Sequence, residues 1–343
     1  MDSKSGRKKR TKKYLTAALD LSVLLLLMYL VFHKNGWEIL GNIRSVSGAS
    51  LLLLLGMALA YLVLDAEGLR CLLKSALPSL TFTQAFELEL TASFCSVATF
   101  SAGTVPVQSY YLYRLGMAPG DSIGLLIVKY ILHKAVVVLC SFFILLFSGR
   151  VMFRGAPELL RLSWLGWGIN AVILTVMILL SRWDRMRALA VQLAEKLPDS
   201  EKWQSRRESL LKNIEALCRG VRSLSGRGGN TGKAFLLNIL KLPVLYLIPW
   251  AALRAMGCRD MGFWLSSALM GVTHVIATAL PNIAGAGPTE AAFLILYSAF
   301  IPRADASSAL VLYRFATYFF PFLAGAAAVY LIRRRLDREK KAG

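Results

Sequence analysis

Histidine and the common catalytic motifs are scarce in this 343-residue sequence, and their scarcity excludes several classes of function. The three histidines lie far apart in the chain, and neither an HExxH nor a CxxC motif is present, so we expect no metal site. A Walker motif is also missing, and no constellation for covalent catalysis is visible. We therefore expect no cofactor and no catalytic residue, and activity as an enzyme on its own is not expected.

Cysteine is also infrequent. The five cysteines, Cys71, Cys95, Cys140, Cys218 and Cys258, are scattered and odd in number, which predicts thiols without a disulfide framework. The apolar run LSVLLLLMYLVF follows a basic stretch as in a signal peptide, but no small-residue cleavage site comes after it. We expect a retained first membrane span.

Charged residues make up only 17% of the chain, while hydrophobic residues make up 56% and the mean hydropathy is +0.54. This composition predicts an all-α polytopic membrane protein rather than a soluble domain. Two regions, 81–113 and 262–301, are apolar enough to enter the membrane but are interrupted by glycine and proline. With them, about eight membrane segments are expected. The six full spans are predicted at about 14–32, 48–73, 121–148, 161–180, 233–256 and 306–332.

Acidic residues are half as numerous as basic ones, which gives a net charge of +20. The basic residues concentrate in 1–13, 181–232 and 333–343, so the positive-inside rule places these segments and both termini in the cytoplasm. Anionic inner-leaflet lipid is an expected partner of these segments, and nucleic acid is not. Residues 182–227 have helical periodicity with mixed charge, which fits either interfacial amphipathic helices or a solvated linker helix.

The number of spans between the basic segments determines whether each broken region crosses the membrane or returns to the face from which it enters. Four spans lie between the N-terminus and the basic segment 181–232, and two lie between that segment and the tail, so each broken region returns to the face from which it enters. The first would open to the cytoplasm and the second to the outside. Two broken elements from opposite faces are typical of inverted-repeat transporters, here with membrane halves 14–180 and 233–332.

Ionisable residues within apolar helices are the candidates for function, because a charge at the bilayer centre costs roughly 2.5 to 3.5 kcal/mol. Lys129 and His133 share one helix face, with mutual packing or snorkelling as the alternative. Asp65 lies deep in the second span, and Arg314 lies in the last one. Glu290 follows Pro288 at the second break, where a carboxylate either acts on a ligand or merely caps the next helix.

A more ordinary role is expected for Glu67 and Arg70. They are three residues apart near the end of a helix, a spacing that favours a local ion pair over contact with a ligand.

The stretches PNIAGAGPTE and LYRFATYFFPFLAG resemble the signature of the lysylphosphatidylglycerol synthase transmembrane, or flippase-like, family: Pro-x-Pro-Gly-x-x-Gly-x-x-Glu, then Arg-x-x-x-Tyr. The segment FSAGTVPVQSYYLYRLGM resembles that family's Gly-Gly-x-Pro segment. The resemblance covers about residues 10–335. The positions that match are Pro281, Gly287, Glu290, Arg314, Tyr318, Gly103 and Pro106, and those that depart from the pattern are Thr104, Ile283 and Ala284.

The resemblance implies a lipid translocase-like protein of the bacterial inner membrane, associated with resistance to cationic antimicrobial peptides. Its substrate would be an anionic or aminoacylated phospholipid such as lysyl-phosphatidylglycerol, with a polyprenyl- or glycolipid-type amphiphile as a further option. Lys129, His133, Arg114 and Arg314 would hold the phosphate, with Tyr318 beside them. Asp65 and Glu290 would meet a cationic headgroup or balance the basic residues. Gly103, Pro106, Pro281, Gly285, Gly287 and Pro288 would shape the hairpins.

Two alternatives remain at this point. The chain, which ends at Gly343 without a synthase domain, would be the membrane component of a phosphatidylglycerol lysyltransferase whose synthase is a separate partner. Otherwise it is a membrane scaffold without transport, in which the ionisable residues only pair with one another. A homo-oligomer is compatible with either.

Overall fold

The computed structural model describes residues 36–99, 103–195, 201–223, 228–280 and 287–342, and every element in these ranges is helical. By length and composition, five helices can cross a bilayer: Gly48–Leu73, Pro119–Met152, Pro157–Arg182, Asn230–Ala255 and Arg303–Ile332. They match five of the spans expected from the sequence, while the expected span 14–32 lies outside the described residues. The chain is an all-α, multi-pass membrane protein.

In chain order the α-helices are α1 (Gly36–Arg44), α2 (Gly48–Leu73), α3 (Phe82–Ala98), α4 (Thr104–Arg114), α5 (Pro119–Met152), α6 (Pro157–Arg182), α7 (Asp184–Glu195), α8 (Glu201–Ser223), α9 (Gly228–Ala255), α10 (Phe263–Ala279), α11 (Pro288–Tyr297), α12 (Arg303–Arg314) and α13 (Phe320–Ala342). A π-helical turn, Phe315–Phe319, joins α12 to α13.

The first broken region folds as a pair of short antiparallel helices, α3 and α4. Thr81 and Gln84 form a capping box at the start of α3. The hydroxyl of Tyr111, late in α4, donates a hydrogen bond of 2.8 Å to Glu87, early in α3. The chain therefore returns to the end from which it came. With 17 and 11 residues, the helices extend about 25 and 16 Å, less than the roughly 30 Å of a bilayer core.

The second broken region has the same design. Tyr297, the last residue of α11, donates a hydrogen bond of 2.7 Å to the backbone carbonyl of Ser266, in the first turn of α10. These helices have 17 and 10 residues, nearly the lengths of α3 and α4. We call α3–α4 the first hairpin and α10–α11 the second hairpin.

The two halves of the chain repeat one order of elements: α2, the first hairpin and α5, then α9, the second hairpin and α12–α13. Each hairpin packs against a long helix of the other half, because α3 contacts α13 and α10 contacts α5. The long helices α2 and α9 pack together at the centre. Three long helices, α5, α6 and α9, separate the two hairpins, and an odd number of crossings places the hairpins on opposite faces.

The close contact between α3 and α13 depends on a glycine. A Cβ at Gly325 on α13 would collide with the backbone carbonyl of Leu90 on α3, and it would lie 2.9 Å from the Cβ of Phe94. One turn away, the rings of Phe94 and Phe322 stack with centroids 5.3 Å apart. The missing side chain thus lets the first hairpin pack directly against the final helix.

The basic segment forms two helices, α7 and α8, as the periodicity indicated. α8 packs against the start of α5 with Gly220 facing Gly124, and a Cβ at either glycine would collide with the other helix's backbone. Since α5 begins directly after the first hairpin, α8 lies at the face where that hairpin opens.

At the opposite face, α1 rests on the start of α12. The Nδ2 of Asn42 donates to Asp305 at 3.0 Å and to Ser308 at 3.3 Å. Because α12 begins just after the second hairpin, α1 and the base of the second hairpin share this face.

Candidate functional site

A π-helical turn shapes one wall of the candidate site. The backbone N–H of Phe320 donates to the carbonyl of Phe315, one residue further back than in an α-helix. Pro321 follows at once, and a proline within a helix has no N–H to donate and crowds the preceding turn. Arg314 directly precedes the turn and Tyr318 lies within it, and the guanidinium of Arg314 lies 5.5 Å from the centre of the Tyr318 ring. Local backbone geometry thus presents a cation and an aromatic ring together.

A cavity of about 370 Å³ lies between this wall, the first hairpin and α2. Its volume falls within the range of small-molecule sites, about 300–1,000 Å³. The lining includes five hydroxyl- or amide-bearing side chains, Ser93, Ser96, Thr104, Gln108 and Thr317. Its ionisable lining residues are Asp65, Glu89, Lys129, Arg314, Tyr61 and Tyr318. A polar cavity among apolar helices is typical of a ligand pathway in a membrane protein.

Four charged side chains from four helices meet at the floor of the cavity. Lys129 on α5 donates to Glu89 on α3 at 2.5 Å and to Asp65 on α2 at 3.1 Å. Asp65 also accepts from Lys241 on α9. We call Asp65, Glu89, Lys129 and Lys241 the charge cluster.

The charge cluster joins two carboxylates and two ammonium groups, so its formal charge is zero. Unpaired charges would be strongly unfavourable among apolar helices, whereas a neutral, hydrogen-bonded cluster is tolerated. The side chain of Lys241 is only 2% exposed, while that of Lys129 is 18% exposed and lines the cavity. The cluster is thus buried on the α9 side and accessible on the side of the first hairpin.

Glu290 has two roles at once. Its Oε2 accepts a hydrogen bond of 2.6 Å from the backbone N–H of Gly287, which caps α11. Its Oε1 lies 2.6 Å from the Nε of Arg314. Gly287 has φ of +99°, a conformation that favours glycine. From the sequence, Glu290 is either a helix cap or a functional carboxylate. In the structure it caps α11 and also contacts Arg314, which lines the cavity.

The remaining candidate residues do not line the cavity. His133 is half-buried on α5, with its ring 5.6 Å from that of His274, and Arg114 is exposed in the last turn of α4. Neither is among the residues that line the cavity. Glu67 and Arg70 form the expected local pair, with Nη2 and Oε1 2.6 Å apart.

The hairpin-shaping residues lie at helix starts. Gly103 precedes α4 and donates its N–H to Thr99, Pro106 lies in the first turn of α4, and Pro288 is the first residue of α11. Pro281 and Gly285 lie outside the described residues.

Two buried charges, Glu89 and Lys241, are absent from the candidates that the sequence provides. Glu89 lies in the broken region 81–113, where the sequence provides only the hairpin-shaping candidates Gly103 and Pro106, and Lys241 lies in the span at 233–256. The signal that selected Asp65, a charge within an apolar run, is present at both positions. Lys134 on α5 carries the same sequence signal, and it donates to the hydroxyl of Tyr130 at 3.2 Å and to the carbonyl of Thr278, near the end of α10, at 3.3 Å, away from the cavity lining.

The fold and the site together define a multi-pass α-helical membrane protein with a polar cavity beside a helical hairpin. Comparison with known families matches residues 17–325 to the family described as the lysylphosphatidylglycerol synthase TM region. The match covers most of the chain, and the protein belongs to this family. No curated protein matches the chain with significance.

Proposed function

We propose that the protein moves a phospholipid between leaflets, with the headgroup held in the cavity beside the first hairpin. The observation that carries this proposal is the cavity itself, which combines both signs of charge with hydroxyl groups inside a bundle of apolar helices. An anionic or aminoacylated phospholipid, such as lysyl-phosphatidylglycerol, has the matching chemistry. Its acyl chains would remain in the surrounding lipid.

The electrostatics supports a headgroup with a phosphate. Lys129 and Arg314 present cationic groups to the cavity from two helices, and Thr317 and Tyr318 add hydroxyl groups. An amine on the same headgroup would find the carboxylates of Asp65 and Glu89. A lipid carrying both groups would therefore satisfy both signs of charge.

The proposed orientation follows from the basic segments. α8 and the end of α13 carry excess Lys and Arg, which favours the cytoplasm for their face. The first hairpin and its cavity would then open from the cytoplasmic side of the inner membrane. A separate soluble synthase acting on that side would supply aminoacylated substrate.

Transport is tested in proteoliposomes that contain fluorescent phosphatidylglycerol or fluorescent lysyl-phosphatidylglycerol. A membrane-impermeant reductant bleaches the outer leaflet, and further bleaching reports lipid that has changed leaflets. We expect the wild-type protein to accelerate this second phase. Arg314→Gln should slow it at least tenfold, because the headgroup loses a cationic partner inside the cavity.

The matched control is Arg150→Gln, which removes an exposed arginine from the last turn of α5, outside the cavity lining. It should transport like the wild type. Equal bleaching with and without protein would contradict transport and would favour a scaffold. Normal transport by Glu290→Gln would remove the Glu290 charge from the mechanism.

A further inference from the structure

Lys129 is shared between two carboxylates, and only one of them has a second cationic partner. Asp65 is bonded to both Lys129 and Lys241, whereas among the described residues Lys129 is the only lysine or arginine in an ion pair with Glu89. Loss of Lys129 from the cluster would therefore leave Asp65 neutralised and Glu89 uncompensated.

The position of Lys129 exposes its ammonium group to a ligand in the cavity. Its side chain lines the cavity, so an anionic headgroup there would compete with Glu89 for the same ammonium group. A phosphate held by Lys129 adds one negative charge to a cluster whose formal charge is zero. Since the side chain of Glu89 is only 6% exposed, a second uncompensated charge beside it would be strongly unfavourable.

We infer that Glu89 takes up a proton when Lys129 engages an anionic headgroup, so that lipid binding is coupled to proton binding. This inference rests on the proposed function. The charges balance: one phosphate charge enters, one proton from water joins a carboxylate oxygen of Glu89, and Asp65 stays paired with Lys241. The site then remains neutral in both states.

Among the ionisable groups around the site, Glu89 is the carboxylate that is left to accept the proton. Asp65 is held by two lysines, and Arg314 is paired with Glu290 on the far wall. On α3 itself, Glu87 binds the hydroxyl of Tyr111 near the base of the hairpin. The ionisable groups around the site from the packed elements are Tyr61 and Asp65 on α2, Lys129 and His133 on α5, Lys241 on α9, Arg314 on α12, and Tyr318 in the π turn.

Proton uptake is measured by calorimetric titration of the purified protein with short-chain phosphatidylglycerol in two buffers that differ in ionisation enthalpy. The difference between the two heats gives the number of protons bound per lipid. We expect about one proton for the wild type at neutral pH, and binding that weakens as pH rises. An infrared band of a protonated carboxylic acid should appear when the lipid is added.

Glu89→Gln is the decisive variant, because glutamine has nearly the same shape but takes up no proton. It should bind the lipid with equal heats in the two buffers and without the infrared band. The matched control is Glu87→Gln, two residues earlier on the same helix, which should keep the uptake of about one proton.

The outcomes separate the two proposals. Lipid binding by the wild type with equal heats in both buffers would overturn proton coupling alone. No binding at any pH would overturn lipid recognition, and proton coupling with it. Because the wild-type measurement is itself decisive, the inference stays testable even where a variant does not fold.

Discussion

The Nε of Arg314 lies 2.6 Å from the Oε1 of Glu290, and this ion pair joins the cavity wall to the start of α11 in the second hairpin. Both side chains are largely buried, at 14% and 13% exposure. An occupant of the cavity that attracted Arg314 would therefore weaken a contact of the opposite hairpin. The pair connects the last membrane helix to the second hairpin.

A double-mutant cycle should measure this connection. Glu290→Ala and Arg314→Ala should each lower the free energy of unfolding, and the double variant should lose less than the sum, with a coupling energy of about 1–3 kcal/mol. Unfolding in mixed detergent micelles, followed by circular dichroism, gives these values. The exposed pair Glu215–Arg219 on α8 is the control, with a coupling energy below about 0.5 kcal/mol. Additive effects at Glu290 and Arg314 would refute the connection.

Gly325→Ala should disturb the packing of the first hairpin. The new methyl group would collide with Leu90 and Phe94 of α3, and such overpacking costs about 1–3 kcal/mol. Thermal unfolding in detergent measures the loss. Gly56→Ala is the control, because a Cβ there meets nothing within 4 Å and alanine favours the helix. If both variants were equally stable, the close contact between α3 and α13 would be wrong.

Gly287→Ala should strain the start of α11. With φ of +99°, an L side chain at this position costs about 1–3 kcal/mol, and the cap from Glu290 is displaced. We expect lower thermal stability together with slower lipid transport. Gly262→Ala is a close control, since Gly262 precedes α10 of the same hairpin with an ordinary φ of −70° and open space around it. Loss of equal size at Gly262 would argue against a conformational cause.

Cysteine labelling should show which side of the membrane each end of the helical bundle faces. In a variant without native cysteines, Ala118→Cys at the base of the first hairpin should react only from the cytoplasm. Arg154→Cys, between α5 and α6, should react only from the outside, because α5 separates the two exposed positions. An impermeant maleimide applied to intact cells and to inverted vesicles distinguishes the sides. Labelling of Ala118→Cys from outside would invert the proposed orientation.

Much of the architecture can be predicted from the hydropathy of the sequence. Long apolar runs predicted the spans from 48 to 332, and glycine and proline marked both interruptions, because a bilayer requires continuous helices wherever backbone meets lipid. The antiparallel return of each hairpin followed from counting crossings between basic segments.

The site was harder to predict because its members come from distant parts of the chain. Asp65 was selected as a lone intramembrane charge, but its partners Lys129 and Lys241 are 64 and 176 residues away. Hydropathy reports that a charge is buried, and it says nothing of which charge on another helix compensates it. Helix packing supplies that information, and it also moves Arg114 and His133 away from the cavity.

The π turn at Phe315–Phe319 changes the angular register of the residues that follow it in the last membrane helix. One extra residue in a turn rotates everything beyond it by about 100° relative to an uninterrupted α-helix. Relaxation of that turn to α geometry would swing Pro321 and Phe322 around the helix axis while Arg314 stayed in place. Because such a rotation would separate Phe322 from Phe94 and turn Gly325 away from Leu90, the packing of α13 on α3 holds the turn in its π geometry and keeps Pro321 in the cavity lining.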